Sequence, residues 1–327
     1  MKIVDMHCDT IGEIFYRKNQ GEMISLKENG LHIDLNRMRE GEYLLQNFAL
    51  FVHLKSVEDP FAYCMRMLDC FYEQIEQYSD EIGVVRTYQD IEENQKNGKM
   101  SALLTIEEGG VCRGDLALLR DFYRLGVRMM TMTWNFENEL AYPNRIDLNT
   151  GKAIPETENG LKEKGIAFVE EMERLGMIVD VSHMGDAGIY DVLRYAKKPF
   201  VASHSNARAV CSHPRNLTDD MIRAIAERGG VMGINFCASF LDEKEDEKQC
   251  FGSVERLIAH MRHIKQIGGI DCIGLGTDFD GIGSNIEILG AGKMPVLIRE
   301  MEKAGFRTEE IEKICYKNVL RVYKELL

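Results

Sequence analysis

Histidine and carboxylate residues follow apolar segments at several places in this 327-residue sequence. His7 and Asp9 come after the apolar run that opens the chain, and His183 and His204 each end a later one. Imidazole and carboxylate groups are common ligands of zinc-class ions, and two histidines at adjacent strand ends could reach one ion. A His-x-Asp pair alone is more often a surface or hydrogen-bonded pair, so the prediction of a metal site depends on the combination.

Glu108 offers a carboxylate that could bridge two ions. Two cations held close together repel each other, and a shared carboxylate can span metals about 3.5–4 Å apart. Glu108 ends an apolar run and precedes Gly109 and Gly110, where the backbone can turn sharply. We therefore predict a centre of two metal ions in which Glu108 bridges the ions and takes part in catalysis. An exposed acidic pair at the start of a loop would look the same in sequence.

Two further residues could act on a bound substrate. Asp278, in the segment GLGTDFDG, could accept a proton from water and pass it to a leaving amine, whereas Asp280 points the opposite way along the strand and should orient the loop. Both could instead belong to a turn built from Asp and Gly. Arg215 could hold a carboxylate through two parallel hydrogen bonds, or it could be a solvated loop arginine.

All of these residues fall at the ends of predicted strands, because short apolar runs alternate with amphipathic segments along the whole chain. The predicted strands are Lys2–Asp9, Gln46–His53, Met100–Glu107, Arg128–Thr133, Met177–His183, Phe200–His204, Gly230–Phe236 and Asp271–Thr277. The predicted helices are Phe61–Tyr78, Gly114–Leu125, Leu161–Leu175, Gly185–Tyr195, Thr218–Arg228, Ser253–Ile267 and Thr308–Leu326.

Eight such units predict an α/β fold, a TIM (β/α)8 barrel with its binuclear metal site at the C-terminal ends of the strands. No low-complexity linker or composition shift divides residues 1–327, so we expect a single domain. Because side chains alternate along a strand, His7 and Asp9 should both face the barrel mouth while Cys8 faces the helices. A doubly wound open sheet is the alternative, but the glycine-rich phosphate loop expected after an early strand is absent from the sequence.

Composition narrows the class of partner. The net charge of −13 disfavours nucleic acid and anionic membranes. Nine cysteines without a C-x-x-C pair are typical of a reduced chain, and neither a secretory leader nor an apolar run long enough to span a bilayer is present. We therefore expect a cytoplasmic protein that acts on a small molecule.

Taken together, the motifs resemble the renal (membrane) dipeptidase family of zinc peptidases, within the amidohydrolase-like barrels. The resemblance covers nearly the whole chain, and the matching segments come in the family's order. These segments are His-x-Asp at 7–9, Glu-Gly-Gly at 108–110, LGVR at 125–128 leading into MTMTW, then GMIVDVSH, SHSNAR, Arg215-Asn216 and GTDFDG. Any one of them alone would be weak, whereas the set is specific.

The resemblance implies two Zn²⁺ ions per chain, with Co²⁺ or Mn²⁺ as possible substitutes. His7 and Asp9 would bind one ion, His183 and His204 would bind the other, and Glu108 would bridge them. The implied reaction is hydrolysis of dipeptides by a hydroxide shared between the metals, with a D-residue tolerated at the C-terminal position. Arg215 would hold the terminal carboxylate of the substrate and Asp278 would move the proton.

Substrate contacts depart from the family's pattern at two positions. Trp134 stands where members carry a histidine that contacts the substrate, so the indole N–H or the Asn135 side chain would have to donate that hydrogen bond. Phe240 stands where we expect a tyrosine beside the carboxylate clamp formed by Arg215 and Asn216. These changes leave the metal ligands intact and open the question of which substrate binds.

Two other functions remain as alternatives from sequence. Another amidohydrolase-like enzyme, such as a lactonase, a cyclic amidase or a deaminase, would usually carry His-x-His at the first strand and often a modified lysine as bridge. A barrel that binds metal or peptide without turnover would be expected to lack one ligand, and all five predicted ligands are present. We therefore expect a small dipeptide as the partner, with a homodimer as a possible assembly.

Overall fold

Eight parallel strands close into a barrel in the computed structural model, which describes residues 1–148, 152–244 and 246–327. The strands are β1 (Ile3–Asp5), β2 (Tyr43–Phe51), β3 (Ile82–Val85), β4 (Met100–Glu107), β5 (Met129–Thr131), β6 (Arg145–Ile146), β7 (Ala153–Ile154), β8 (Ile178–Asp180), β9 (Val201–Ala202), β10 (Val231–Ile234) and β11 (Ile273–Leu275). The ring runs β1, β2, β4, β5, β8, β9, β10 and β11, and it closes where β11 pairs with β1. Strand β3 pairs with the beginning of β4 outside this ring, and β6 and β7 form an antiparallel hairpin.

Helices surround the barrel. They are α1 (Thr10–Asn19), α2 (Leu35–Glu40), α3 (Pro60–Gln77), α4 (Tyr88–Lys96), α5 (Leu116–Arg124), α6 (Glu163–Leu175), α7 (Asp186–Tyr195), α8 (Asp219–Glu227), α9 (Ala238–Leu241), α10 (Val254–Gly268), α11 (Met294–Lys303), α12 (Thr308–Glu312) and α13 (Asn318–Leu326). Short 3₁₀ turns lie at Gly109–Cys112, Glu247–Gln249, Ile270–Cys272 and Ala291–Lys293, and a π-helical turn at Lys313–Lys317 joins α12 to α13. None of the helices in the described ranges is long and apolar enough to cross a bilayer.

The predicted TIM barrel is confirmed, and each of the eight predicted strands overlaps one strand of the ring, although β2 begins at Tyr43, before the predicted start at Gln46. The first strand is shorter than predicted, because β1 ends at Asp5 and the next residues turn toward α1. Cys8 keeps one bridge to Phe279, and its side chain packs among the residues that face the helices, as predicted. His7 and Asp9 therefore project from a turn at the barrel mouth rather than from the strand itself.

Two hydrophobic layers stabilise the barrel, one between the strands and the surrounding helices and one inside the ring of strands. Inward-facing side chains from the strands fill its centre, among them Val4, Leu103 and Val231. Helix α13 closes the amino end of the barrel with Tyr323, whose hydroxyl accepts a hydrogen bond from the Asn47 amide at 2.7 Å. With that end sealed, the carboxyl ends of the strands form the open mouth.

Candidate active site

Two overlapping clusters of histidine and carboxylate side chains that share Glu107 lie at the mouth, and a third group joins His7 and His204 to Asp278. One contains His7, Asp9 and Glu107, and the other contains Glu107, His183 and His204. In each cluster the potential ligand atoms lie within 4.8 Å of one another. The turn after β1, the end of β4 and the turns after β8 and β9 supply these residues, so strands far apart in sequence bring them together.

Glu107 belongs to both clusters because its two oxygens face opposite ways. Its Oε2 lies 3.3 Å from His7 Nε2. Its Oε1 lies 2.9 Å from His183 Nε2 and 3.6 Å from His204 Nε2. One carboxylate oxygen is therefore available to each cluster, as a bridging ligand requires.

Glu108, which we predicted as the bridge, has its carboxylate elsewhere. It accepts hydrogen bonds from the backbone N–H of Gly110 at 2.8 Å and of Trp134 at 3.1 Å, and from the Asn138 amide at 2.5 Å. Side chains of β4 point alternately to the two faces of the strand. Leu103 and Glu107 face the inside of the barrel, so the side chain of Glu108 points to the opposite side. Glu107, and not Glu108, is therefore the carboxylate that lies between the two clusters.

The two neighbouring histidines are oriented by groups behind them. Asn135 Oδ1 lies 3.0 Å from His183 Nδ1. Ser203 Oγ lies 2.7 Å from His204 Nδ1 and donates to Asp180 Oδ2 at 2.6 Å. Each ring therefore has its Nδ1 engaged and turns its Nε2 toward Glu107, in the way that partners behind metal-binding histidines orient them. Asn135, predicted to contact substrate, has a histidine as its partner.

Burial shapes the charges of the site. It raises the pKa of Asp9 to about 6 and lowers the pKa of His183 to about 4. Burial would also raise the pKa of Glu107, but the charge of His7 and hydrogen bonds from His183 and His204 outweigh it and hold that pKa well below the usual range. For His7, burial favours the neutral ring, yet the Glu107 and Asp9 carboxylates raise its pKa well above normal. The carboxylates of this buried site therefore favour positive charge between them.

Two ligand atoms in the first cluster lack a hydrogen-bond partner. His7 Nε2 and Asp9 Oδ1 are both buried and unpaired. A buried polar atom without a partner costs about 1–3 kcal/mol, so such atoms call for an explanation. A divalent cation held by imidazole and carboxylate would satisfy both atoms, and the donor set fits that group.

Backbone strain concentrates around the clusters. Glu108, His183, Asp278 and Asp280 have φ angles of 100°, 69°, 63° and 69°, in the region that residues with a side chain rarely adopt. Strained backbone of this kind persists where surrounding structure holds it, and it is frequent at functional sites. Here it turns the chain sharply at three strand ends.

Asp278 and Asp280 have different surroundings. Asp278 Oδ1 lies 3.7 Å from His7 Nε2, and its Oδ2 accepts a hydrogen bond from the Asn235 amide at 2.9 Å. Asp280 instead accepts hydrogen bonds from Thr10 Oγ1 at 2.5 Å and from the backbone N–H of His32 at 2.6 Å. Asp278 therefore faces the clusters, whereas Asp280 ties its loop to α1, in agreement with the loop-orienting role predicted for it.

Arg215 is buried without an acidic partner among the described residues. Its guanidinium donates to Ser205 Oγ at 3.3 Å and to the His204 carbonyl at 3.2 Å, and its Nε has no acceptor. The Phe240 ring lies 5.4 Å away, in the position where a tyrosine was expected. A cation buried to this extent and bonded only to neutral oxygens can still receive a carboxylate.

Asn216, predicted to contact substrate beside Arg215, is fully buried, and its side chain stabilises the loop in which it lies. Its amide donates to the carbonyls of Cys211 and Phe240, both at 2.9 Å. These bonds connect the loop that carries Arg215 to α9. Neither Asn216 nor Arg215 is among the residues that line the cavity at the mouth, which Phe240 borders on their side.

A cavity of about 430 Å³ lies over the clusters. Glu107, His183 and Asp278 form part of its floor. Trp134 lines it as well, with its ring 4.9 Å from that of Phe51 and 6.0 Å from that of His183. Volume and lining are in the range of small-molecule sites, in which a few polar groups lie among apolar walls.

Known proteins resemble this chain over its full length. Residues 1–326 match the membrane dipeptidase family (peptidase family M19). An uncharacterized dipeptidase of Schizosaccharomyces pombe is 33% identical over 341 residues, which covers 99% of this chain and 80% of that protein.

Two solved structures share the fold. The dipeptidase AC, a metallopeptidase of family M19, matches with a TM-score of 0.90 and 28% identity, over 100% of this chain and 98% of its own. A metallopeptidase from Rhodobacter sphaeroides, solved with a phosphinate mimic of the dipeptide L-Ala-D-Ala, matches with a TM-score of 0.90 and 27% identity, over 100% and 99%. The chain therefore belongs to the membrane dipeptidase family of metal-dependent dipeptide hydrolases.

Proposed function

We propose that this enzyme hydrolyses dipeptides at a centre of two divalent cations. His7, Asp9 and Glu107 would hold one ion, and Glu107, His183 and His204 the other. The observation that carries the proposal is the orientation of Glu107, which presents one oxygen to each cluster. We propose zinc as the metal, because imidazole and carboxylate ligands suit it, and cobalt or manganese could take its place.

Divalent cations in such a site lower the pKa of coordinated water to about 7 and polarise a carbonyl oxygen. The chain's own residues would orient the substrate and move protons. Asp278, held by the Asn235 amide beside His7, would accept the proton of the attacking water and deliver it to the leaving nitrogen. Delivery to nitrogen is required because an amide anion is a poor leaving group.

Arg215 would hold the terminal carboxylate of the dipeptide. Its guanidinium is buried and forms hydrogen bonds only to neutral oxygens, which leaves its charge available to an incoming anion. The guanidinium geometry matches a carboxylate with two parallel N–H···O bonds. Binding at this end would place the single peptide bond of a dipeptide at a defined distance from the floor of the cavity.

The C-terminal residue could have the D configuration. The Rhodobacter sphaeroides relative was solved with a mimic of L-Ala-D-Ala, which supports acceptance of a D-residue at that position in this chain too. All nine cysteines are free, and eight of them are buried, which supports a reducing compartment, and we propose the cytoplasm. The homodimer considered from the sequence stays a prediction, to be tested by light scattering of the purified protein.

Metal stoichiometry of two matched variants tests the centre. We expect the wild-type chain, reconstituted with zinc and measured by mass spectrometry of the metal, to hold two ions. Glu107→Gln removes the shared negative charge, so the content should fall below two and activity should be lost. Glu13→Gln makes the same chemical change at a residue that lines the cavity outside the clusters, and it should keep both ions. Two tightly bound ions in Glu107→Gln, or loss of metal in Glu13→Gln alone, would contradict the proposed centre.

A further inference from the structure

We propose that this dipeptidase prefers substrates whose N-terminal residue has a large apolar or aromatic side chain, and that α1 and α3 form the pocket that receives it. The inference rests on the proposed function, specifically on Arg215 holding the C-terminal carboxylate. It names the class of dipeptide, which the metal clusters and the clamp leave open.

The order of strands around the barrel determines the direction in which a dipeptide lies. Three strands separate β2 from β9 on each side of the ring, so these two strands are diametrically opposite. Arg215 follows β9, and Phe51 ends β2. A dipeptide with its carboxylate on Arg215 must therefore extend across the Glu107 clusters toward Phe51. Its N-terminal side chain then meets the wall on that side of the mouth.

That wall is apolar and aromatic. Phe51 from β2, Gly12 and Tyr16 from α1, and Tyr63 and Met67 from α3 line the cavity there. Met67 is buried, whereas Tyr16 is 55% exposed and stands at the rim. A side chain bound against these residues would exchange water for apolar contact, which favours large hydrophobic groups over small ones.

Gly12 provides open space in this wall. A Cβ atom placed there would have one neighbour within 4 Å, the Met67 sulfur at 3.8 Å. The backbone of Gly12 does not adopt a left-handed conformation, so no turn requires a glycine at this position. Glycine is also unfavourable inside a helix. The missing side chain thus enlarges the cavity and lowers the stability of α1.

The one acidic residue that α1 adds to the wall already has a cationic partner. Glu13 lines the cavity, and its carboxylate lies 3.4 Å from Arg17 Nε, one helical turn further on. A basic N-terminal side chain would have to compete with Arg17 for this carboxylate. The composition of the wall therefore favours apolar over cationic side chains.

The test compares kcat/KM for Gly-D-Ala, L-Ala-D-Ala, L-Leu-D-Ala and L-Phe-D-Ala with the zinc-loaded enzyme. We expect a rise of at least about tenfold from Ala to Phe at the N-terminal position. Gly12→Leu fills the open space and should bring the Phe-to-Ala ratio down toward one, with Gly12→Ala in between. Lys18→Leu puts the same side chain on the solvent side of α1 and should leave the ratio unchanged.

The outcomes separate this inference from the function on which it rests. Turnover with a wild-type Phe-to-Ala ratio at or below one overturns the pocket assignment alone. A high ratio that Gly12→Leu does not reduce overturns the role of α1. Absence of turnover for all four dipeptides overturns the proposed function together with this inference. The wild-type series decides the preference even if Gly12→Leu fails to fold, which circular dichroism would show.

Discussion

Replacing Arg215 by Met would test whether a buried guanidinium binds the carboxylate end of the substrate. Methionine fills a similar length of space and cannot donate a hydrogen bond. In the wild-type chain the guanidinium has two neutral acceptors at 3.2 and 3.3 Å and an unpaired Nε, so no acidic side chain competes with the substrate. A hydrogen bond to a charged group contributes about 1.5–3 kcal/mol, which corresponds to roughly 10- to 150-fold in kcat/KM.

The assay compares each dipeptide with its C-terminal amide, for the wild type and the variant. The wild type should prefer the free acid, and Arg215→Met should lose that preference because only the free acid carries the charge. Arg208→Met is the matched control from the same loop. Arg208 has its own carboxylate partner, Asp186, with two contacts of 2.7 Å, so its loss should leave the preference intact. Equal losses on free acid and amide in Arg215→Met would refute the clamp.

Thermal stability gives an independent measure of the same prediction. A buried charge without an opposite charge destabilises a fold, because desolvation is not repaid by an ion pair. Arg215→Met should therefore melt at the same temperature as the wild type or higher, whereas Arg208→Met, which breaks an ion pair, should melt lower. A marked fall in the melting temperature of Arg215→Met would indicate that the guanidinium stabilises the fold.

Three further changes test other parts of the site and fold. Asp278→Asn should keep the metal content and lose most turnover, because the amide cannot accept the proton; wild-type turnover would remove Asp278 from the mechanism. Asn135→Ala should weaken metal binding by about 10- to 100-fold in a chelator competition, since the His183 ring loses its orienting partner; unchanged affinity would count against that role. Tyr323→Phe should lower the free energy of unfolding by about 1–3 kcal/mol in urea, because the buried Asn47 amide loses its acceptor, and an unchanged midpoint would show that the bond is dispensable.

The sequence was sufficient to predict the barrel and most of the cluster, because each signal was local. A buried parallel strand is a short apolar run, and a polar residue that ends such a run at the mouth is easily recognised. His7, Asp9, His183 and His204 were found in this way. The structure brings all four together around Glu107.

The carboxylate that lies between the clusters could not be chosen by residue type, since Glu107 and Glu108 are chemically the same. The alternation of side chains along the strand decides between them, and the predicted strand already ended at Glu107. Applying to Leu103 and Glu107 the two-residue alternation that was applied to His7 would have selected Glu107. The inward-facing positions of β4 had to be followed as far as its last residue, Glu107.

Other parts depended on structure that the sequence pattern did not specify. Helix α1 was not predicted, although Ile11, Ile14 and Phe15 have helical spacing, because Asp9 was counted as part of a strand. The pocket wall that α1 forms was therefore missed. The position of Asn216 behind the cavity depends on how its loop folds, and neither its residue type nor its neighbour Arg215 indicates that it turns inward.

The adjacent acids Glu107 and Glu108 show how environment separates two identical side chains. Three donors surround Glu108, two of them backbone N–H groups of the loops that follow β4 and β5. Burial raises its pKa to about 7, and a φ of 100° at the same residue turns the backbone so that its carboxylate reaches these donors. Because strained backbone must be held by its surroundings, the hydrogen bonds of Glu108 hold the turn that ends β4. That turn places Glu107 between the histidines, so the acid that does not reach the clusters positions the one that does.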